Sequence, residues 1–584
     1  MQKKIVQREV LQGVGELANF HPLLQRIYAT REISSADDVS RKLSDLLPYA
    51  GLKGIQAASE RLAIAVEDRQ RILIVGDFDA DGATSTTLAV QSLRAMGAAS
   101  VDYIVPNRFE YGYGLTPEIV EVAKIKAPDL IVTVDNGISS LEGVARANEL
   151  GIDVVVTDHH LAGAELPAAC AIVNPNQPGD TFPSKCMAGV GVIFYVMLAL
   201  RSYLHEINWF LDQKIKSPNM ADFLDLVALG TVADVVPLDK NNRIMVHQGM
   251  RRIRAGHCRQ GILALLDIAR RNRNCLVASD LGYVIGPRLN AAGRLDDMSR
   301  GIECMLSDDY QRAFQIAQQL DQLNHERRAL EMQMRDEAFN HVDKLEFDNN
   351  LPMGLCLYDE HWHQGIVGLV ASRVKEKMHL PTIAFAKASD DMIKGSARSI
   401  KGLHIRDTLD AIAKRCPELI TKFGGHAMAA GLSIKLSDFD AFKLEFAKQV
   451  ALALGTEALE RVVESDGQLE IENFTLEIAE LLRESGPWGQ GFPEPTFDGH
   501  FKITDQRLVG EKHLKLTLQV PGGQYFLDAI AFNVDLKLWP NTRCYNVYLA
   551  YRLDVNEYRG RRKLQLIVEH LEAEPVKTKE AEHA

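Results

Sequence analysis

The sequence predicts an α/β chain of several domains: a parallel-sheet domain, a long connecting helix, a second α/β domain and a C-terminal β-barrel. Three observations carry this. Between residues 72 and 158, continuous apolar runs alternate with amphipathic stretches, the pattern of strands covered by helices on both faces. From Asp308 to about Lys344 there is neither Pro nor Gly, and Phe314, Ala317, Leu320, Leu330 and Met334 fall at helical spacing. From 497 to 571, short alternating segments such as Leu514–Leu518 and Leu564–Val568 have barrel texture. A chain of 584 residues has room for two to four domains.

In chain order, Ile72–Val75 is a strand ending at Gly76-Asp77, and residues 83–96 form a helix. Val101–Val105 is a second strand. Thr116 then caps a helix whose first turn holds Pro117. Leu130–Val134 and Val154–Thr157 are the third and fourth strands. Residues 186–286 read as mostly helical. Their longest apolar run, Cys186–Leu200, is shorter than the ~20 residues that span a bilayer, so a buried helix is expected. The stretch after Asp308, about 55 Å long as a helix, is rich in Gln, Arg and Glu and suits a bridge between domains. Gly354–Leu357, Gly365–Met378 and Thr382–Phe385 read as strand, helix and strand of a second unit. The Gly- and Pro-rich run 486–495 marks the boundary before the barrel.

Composition excludes several classes. Apolar residues make up 46% and charged residues 25%, which rules out a disordered, collagenous or coiled-coil chain. With 66 basic and 78 acidic residues the net charge is −12, so this is not a globally basic nucleic-acid coat protein; local basic patches stay possible. The eight cysteines include no C-x-x-C pair, which argues against a zinc ribbon and fits a reduced, cytoplasmic setting. The N-terminus has no apolar signal-peptide core.

The strongest chemical signal is Asp77-Phe78-Asp79-Ala80-Asp81-Gly82, directly after the first strand. Carboxylates at alternate positions of extended chain point the same way and repel one another unless cations lie between them. Parallel sheets place ligand sites at this end of their strands. The motif also opens an EF-hand calcium loop, but that loop needs Glu where Leu88 stands and a helix where the strand precedes. The third strand runs into Asp135-Asn136-Gly137 and the fourth into Asp158-His159-His160. One such Asp is usually a helix cap; three strand ends with this content suit manganese or magnesium. The side chains of His159 and His160, leaving one strand end together, are expected to diverge. Asp234 is a further candidate, although alone it reads more often as a cap or turn. Two adjacent ions suit phosphoryl chemistry.

These motifs, in this order and followed by Gly230–Leu238 (GTVADVVPL), resemble the DHH phosphoesterase superfamily. Gly286–Arg294, Leu323–Arg327, Trp362–Gly368 and Phe423–His426 narrow the resemblance to its RecJ family of single-strand-specific DNA exonucleases, over about residues 10–570. The resemblance implies an N-terminal segment and a DHH domain in 1–305, and a connecting helix in 306–345. It further implies a DHH-associated domain in 346–460, an OB-fold in 461–572 and a disordered tail in 573–584. It implies 5′→3′ hydrolysis of single-stranded DNA to 5′ mononucleotides with two divalent cations, manganese preferred or magnesium. The implied ligands are Asp77, Asp79, Asp81, Asp135, His159 and Asp234, with Asp135 as bridge. Asp158 would orient His159 from behind, and His160 would face the scissile phosphate. Among these, Asp81, Asp135, His159 and His160 are the expected catalytic set.

By the same resemblance Arg108, Arg288 and Asn290 contact DNA, Ser372 and Arg373 recognise the 5′ end, and Ser396, Arg398 and His426 contact the backbone. Gly424 and Gly425 allow close approach of an anion to the main chain before His426. Arginines crowd residues 251–273, and Tyr558, Arg559, Arg561, Arg562 and Lys563 form a basic barrel turn. From composition that turn is nearly as readily a solvated hairpin; the implied OB-fold favours a single-strand track. Implied partners are a single-strand-binding protein and a RecQ-type helicase, for a cytoplasmic monomer that acts in repair and recombination away from membranes. One loop departs from the family pattern: Pro487–Pro493 carries Trp488 and Phe492 where related chains often have Phe or Tyr and Asn. Two rival readings, a small-molecule phosphoesterase and a non-catalytic DNA scaffold, fit less well. The first would need neither this length nor a barrel, and the second would have lost metal ligands.

Overall fold

The computed structural model describes residues 3–10, 17–107, 110–347, 352–454, 461–520, 522–523, 525–558 and 560–574, with no side chain described for 345–347 and 558. The strands are β1 (Lys4–Gln7), β2 (Arg71–Val75), β3 (Ser100–Ile104), β4 (Leu130–Val134), β5 (Asp153–Thr157) and β6 (Ala171–Val173), then β7 (Leu355–Asp359), β8 (Thr382–Lys387), β9 (Met392–Arg398), β10 (Lys422–Gly425) and β11 (Ala429–Lys435). β12 (Val462–Ser465), β13 (Phe497–Val509), β14 (His513–Gln519), β15 (Phe526–Ala531), β16 (Asn546–Tyr558) and β17 (Arg561–Glu574) complete the set. The chain divides into two compact units. One comprises residues 46–236 and 248–459, the other 1–45, 237–247 and 460–584.

In the first unit, a parallel sheet of order β3-β2-β4-β5-β6 has nearly continuous buried runs in its central strands, as the apolar pattern requires. The short fifth strand, β6, has no distinct sequence signal. The long helix covers Tyr310–Phe347. Its N-terminal half packs on the helices Gln260–Ile268, Gly286–Leu295 and Ser299–Leu306. Farther along, Met334, Ala338 and Val342 join the core of the second α/β layer with Val367, Val370 and Val374. It therefore bridges two cores within this unit. That second layer is a mixed sheet of order β10-β11-β9-β8-β7, in which only β7 and β8 run parallel.

In the second unit, β13-β14-β15-β17-β16 close into a barrel. It runs through Glu574, so Ala573 and Glu574 end a strand; the rest of the expected tail, 575–584, lies outside the described residues.

The described residues among the first 45, which the resemblance groups in one span with the DHH domain, are set apart from that domain's sheet. They pack instead within the unit that holds the barrel: β1 pairs in parallel with β12, and Arg31 reaches Asp466 at 2.7 Å. The reason is a pairing distant in sequence, which local patterning does not carry. The divergent loop belongs to this arrangement. Trp488 and Phe492 stack at 4.9 Å, Arg31 lies over Trp488 at 5.4 Å, and Arg243 lies over Phe492 at 4.3 Å.

Burial would raise the Asp466 carboxyl, but the Arg31 hydrogen bond, the Arg31 and Arg8 charges and the Thr496 N–H outweigh it and hold it below its ordinary value. Asp466→Ala leaves Arg31 buried and unpaired and is expected to destabilise this unit by about 3–5 kcal/mol. Since the folded-state value is depressed, the native pair stabilises above about pH 4 and that contribution is lost as pH falls through the folded value. Denaturant melts of both chains at pH 7 and pH 3 check this: the gap between them narrows in acid.

Candidate metal centre

The C-terminal ends of β2, β4 and β5 converge on one buried cluster. Asp77 leaves β2 behind a fully apolar run, and Asp79 N-caps the helix Ala80–Ala95, its Oδ1 accepting from the N–H groups of Asp81 at 2.9 Å and Gly82 at 3.0 Å. Capping and cation binding are therefore compatible uses of the motif. Asp81 sits at the N-terminus of the helix Gly189–Glu206, whose Gly189 and Val190 N–H groups donate to it at 2.6 and 3.0 Å. Asp135 follows β4 in a left-handed backbone with φ of 61°, and Asp234 ends the helix Leu224–Ala233.

Among the described residues, three groupings offer ligand atoms within 4.8 Å of one another: Asp77, Asp79 and Asp135; Asp81, His159 and Asp234; and Asp135, His159 and His160. The first two divide the six expected ligands into two triads. Asp135 Oδ1 lies 3.1 Å and Asp234 Oδ2 lies 3.5 Å from His159 Nε2. The close approach depends on glycines. A Cβ on Gly189 would lie 2.6 Å from Asp135 Cβ, and one on Gly230 would lie 2.7 Å from Asp81 Oδ1. Gly189→Ala is expected to push Asp135 aside and weaken Mn²⁺ binding by about tenfold or more, since a shift of about 1.4 kcal/mol suffices. Titration calorimetry with Mn²⁺ checks it.

The donor chemistry fits divalent cations. Asp135 Oδ1 and His159 Nε2 are buried, face each other and make no hydrogen bond. Burial and the neighbouring cationic His160 push His159 down to about 3, while Asp158 and a hydrogen bond to the Met187 main chain act the other way. That shift favours neutral His159, so its Nε2 and Asp135 Oδ1 are two lone-pair donors placed where a cation would fit. Burial, then the Asp79 charge, push Asp81 up to about 7; burial, then Asp81 and its neighbours, push Asp135 and Asp234 well above the carboxylate range. Positive charge in their midst relieves that repulsion.

Asp158 corrects an expectation. Its Oδ1 accepts from the main-chain N–H of His159 at 2.7 Å and of His160 at 3.1 Å, and pairs with His160 Nδ1 at 2.7 Å; its Oδ2 accepts from Ile138 N at 2.9 Å. The imidazole it orients is His160, not His159. The two rings, expected to diverge, lie 4.5 Å apart. The physical reason is that β5 ends at Thr157: strand alternation stops there, and a turn closing on Asp158 Oδ1 folds His160 back. Although burial opposes protonation, the Asp158 charge and hydrogen bond raise His160 to about 9, and the same pairing holds Asp158 at about 2. The pairing favours the protonated form of His160 and the ionised form of Asp158.

His426, from the turn between β10 and β11, brings its ring to 5.3 Å from His160, so the two α/β layers meet at the centre. Several other expected DNA contacts, Arg288, Asn290, Arg373 and Arg562, have protein partners. Arg288 bonds Asp321 at 2.8 Å and the Val284 carbonyl at 2.6 Å; Asn290 Oδ1 accepts from Ala80 N at 2.7 Å, fixing the Asp-rich turn. Arg373 pairs with Glu331 at 2.9 Å and Glu376 at 3.1 Å, beside the half-buried Ser372. Ser396 and Arg398 lie on β9. Within 251–273, Arg252, Arg259 and Arg271 pair with Asp222, Asp225 and Asp280. Arg561, Arg562 and Lys563 are exposed, with Arg562 paired to Glu480 at 2.6 Å. Arg108, Arg559 and the Tyr558 side chain lie outside the described residues. Sequence reasoning missed Tyr113, whose hydroxyl reaches Asp135 and His160; its only signal is the flanking Gly112 and Gly114.

Family models for the DHH family N-terminal domain, the DHHA1 domain and the RecJ OB domain match residues 71–231, 352–452 and 465–570. A single-stranded-DNA-specific exonuclease RecJ of Dickeya dadantii is 56% identical over 94% of this chain and 96% of its own length. The chain belongs to the RecJ family. The Escherichia coli RecJ is 53% identical over 98% of this chain and 99% of the relative. The crystal structure of Thermus thermophilus RecJ with Mn²⁺ matches with a TM-score of 0.80 and 28% identity, covering 98% of this chain and 80% of that one; a Mg²⁺ complex of the same protein matches at 0.75 and 25%. Membership in the RecJ family accounts for the joint presence of the parallel sheet, the DHHA1 layer and the barrel.

Proposed function

We propose that this chain is a single-strand-specific DNA exonuclease that works 5′→3′ and releases 5′ mononucleotides in repair and recombination. The observation that carries it is the pair of ligand triads beside His160, whose Nδ1 pairs with Asp158 at 2.7 Å. Its RecJ relatives are named as single-stranded-DNA-specific exonucleases. When bound, two divalent cations, manganese or magnesium, supply Lewis acidity and an activated water for in-line attack. Asp77, Asp79 and Asp135 would hold one, and Asp81, His159 and Asp234 the other. The chain's own groups do the rest. Asp158 keeps His160 protonated and oriented, so that His160 can donate to a phosphate oxygen as negative charge develops. His426 stands next to it as a further phosphate contact. Ser372 and Arg373 would take the 5′ end; Ser396, Arg398, Arg108 and Arg288 would follow the backbone, Arg288 and Arg373 giving up present partners to do so.

No described helix is long and apolar enough to cross a membrane. A cytoplasmic monomer that receives strands through a single-strand-binding protein and a RecQ-type helicase is the setting this reading favours. Digestion of 5′- and 3′-labelled single strands and duplexes with Mn²⁺ tests it: the 5′ label of single strands appears first as mononucleotide. Early release of the 3′ label, or equal attack on duplexes, overturns it.

The barrel is proposed to bind the strand mainly through phosphates. Removing residues 497–574 is then expected to weaken binding and to flatten its salt dependence, the log–log slope falling by roughly 0.7 for every phosphate that the shortened chain no longer neutralises. Fluorescence anisotropy across a salt series checks this; an unchanged slope assigns the barrel to a protein partner.

A further inference from the structure

Tyr113 projects from the loop after β3 between Gly112 and Gly114, both in left-handed backbone with φ of 79° and 76°. Such a pair lets one side chain turn inwards from an exposed loop. The residue is 47% exposed, yet its hydroxyl ends at the metal centre. It donates to the Asp135 carbonyl at 3.1 Å and lies 3.1 Å from Nδ1 and 3.3 Å from Nε2 of His160. Asp158 already takes the Nδ1 proton at 2.7 Å. With the phenolic proton on the Asp135 side, the oxygen lone pairs face the His160 ring. The Tyr113 ring meets His160 and Phe78 edge-on, with centroids 5.6 and 6.0 Å away.

We propose that Tyr113 is a positioning residue for His160: anchored on the Asp135 carbonyl, its hydroxyl and Asp158 together fix the His160 ring in the orientation from which it serves the scissile phosphate. The inference rests on the exonuclease reading above and deepens it. The phenol is not needed to hold Asp135 itself. The Asp135 N–H bonds the Thr157 carbonyl at 3.1 Å, and the Asn136 amide bonds the Val75 and Val134 carbonyls at 3.1 and 2.9 Å, which fixes that turn.

Tyr113→Phe keeps the ring and removes only the oxygen. With Mn²⁺ and a 5′-labelled single-stranded oligonucleotide, kcat is expected to fall about tenfold, with KM and the Mn²⁺ half-saturation changed by less than about twofold. In a His160→Ala background the same substitution should change kcat by less than about twofold, because its effect passes through a ring no longer there. An unchanged kcat overturns the inference. So does an equal, independent fall in the His160→Ala background, or a shift in Mn²⁺ half-saturation in place of kcat. Failure of the unsubstituted chain to degrade single strands overturns the exonuclease reading instead, so the two failures are told apart.

Discussion

Asp135→Ala is expected to lower kcat for strand hydrolysis by ~10³-fold or more, with Mn²⁺ stoichiometry falling below two. Asp135 is the one carboxylate that belongs to the Asp77–Asp79 group and also touches His159, at 3.1 Å. Its removal therefore unsettles both triads, whereas removal of Asp77 would strike one. The buried, mutually repelling carboxylates also mean that the centre should respond to chelation. Excess EDTA should abolish hydrolysis, and Mn²⁺ or Mg²⁺ should restore it. Metal analysis beside single-turnover cleavage checks both statements; full activity in EDTA would remove the metal reading.

The second large effect separates the adjacent histidines. His160→Ala is expected to leave metal content intact and to lower turnover by ~10²-fold or more, the scale on which one transition-state donor acts. His159→Ala is expected to lower Mn²⁺ affinity as well as rate, because its bare Nε2 lies among the carboxylates. The Asp158 pairing makes a further distinction. Asp158→Asn should resemble His160→Ala in keeping metal while losing rate, since its ring partner is His160. If His160→Ala loses metal and His159→Ala keeps it, the assignment reverses.

Much of this molecule is legible in the sequence because its signals are local. Apolar runs fix the strands of a sheet covered on both faces, and the Asp-rich turn after β2 stands out because three carboxylates at one strand end cannot be explained as solvated polarity. The long helix is readable to within a few residues, since absence of Gly and Pro over its length is a direct statement about backbone freedom. The candidate ligand types are equally plain, but Asp77, Asp79, Asp81, Asp135 and His159 gather into one cluster only once β2, β4 and β5 lie side by side.

What the tertiary structure alone decides are matters of direction and of distant pairing. Strand periodicity ends at Thr157, so which of two neighbouring histidines turns to Asp135 and Asp234 and which to Asp158 is set by the turn that closes on Asp158. Tyr113 carries no signal of its own, because a loop residue acquires meaning only from what its end touches. The place of the N-terminal strand escapes the sequence for the same reason: β1 finds β12 across more than four hundred residues, and no local preference records such a pairing. Likewise a basic residue in sequence is a charge, while in the fold Arg288 and Arg373 are already partnered by Asp321 and Glu331. Composition and periodicity determined which elements form and what chemistry they can carry; close packing determined which atoms meet, because contact depends on three-dimensional neighbours that a linear pattern does not specify.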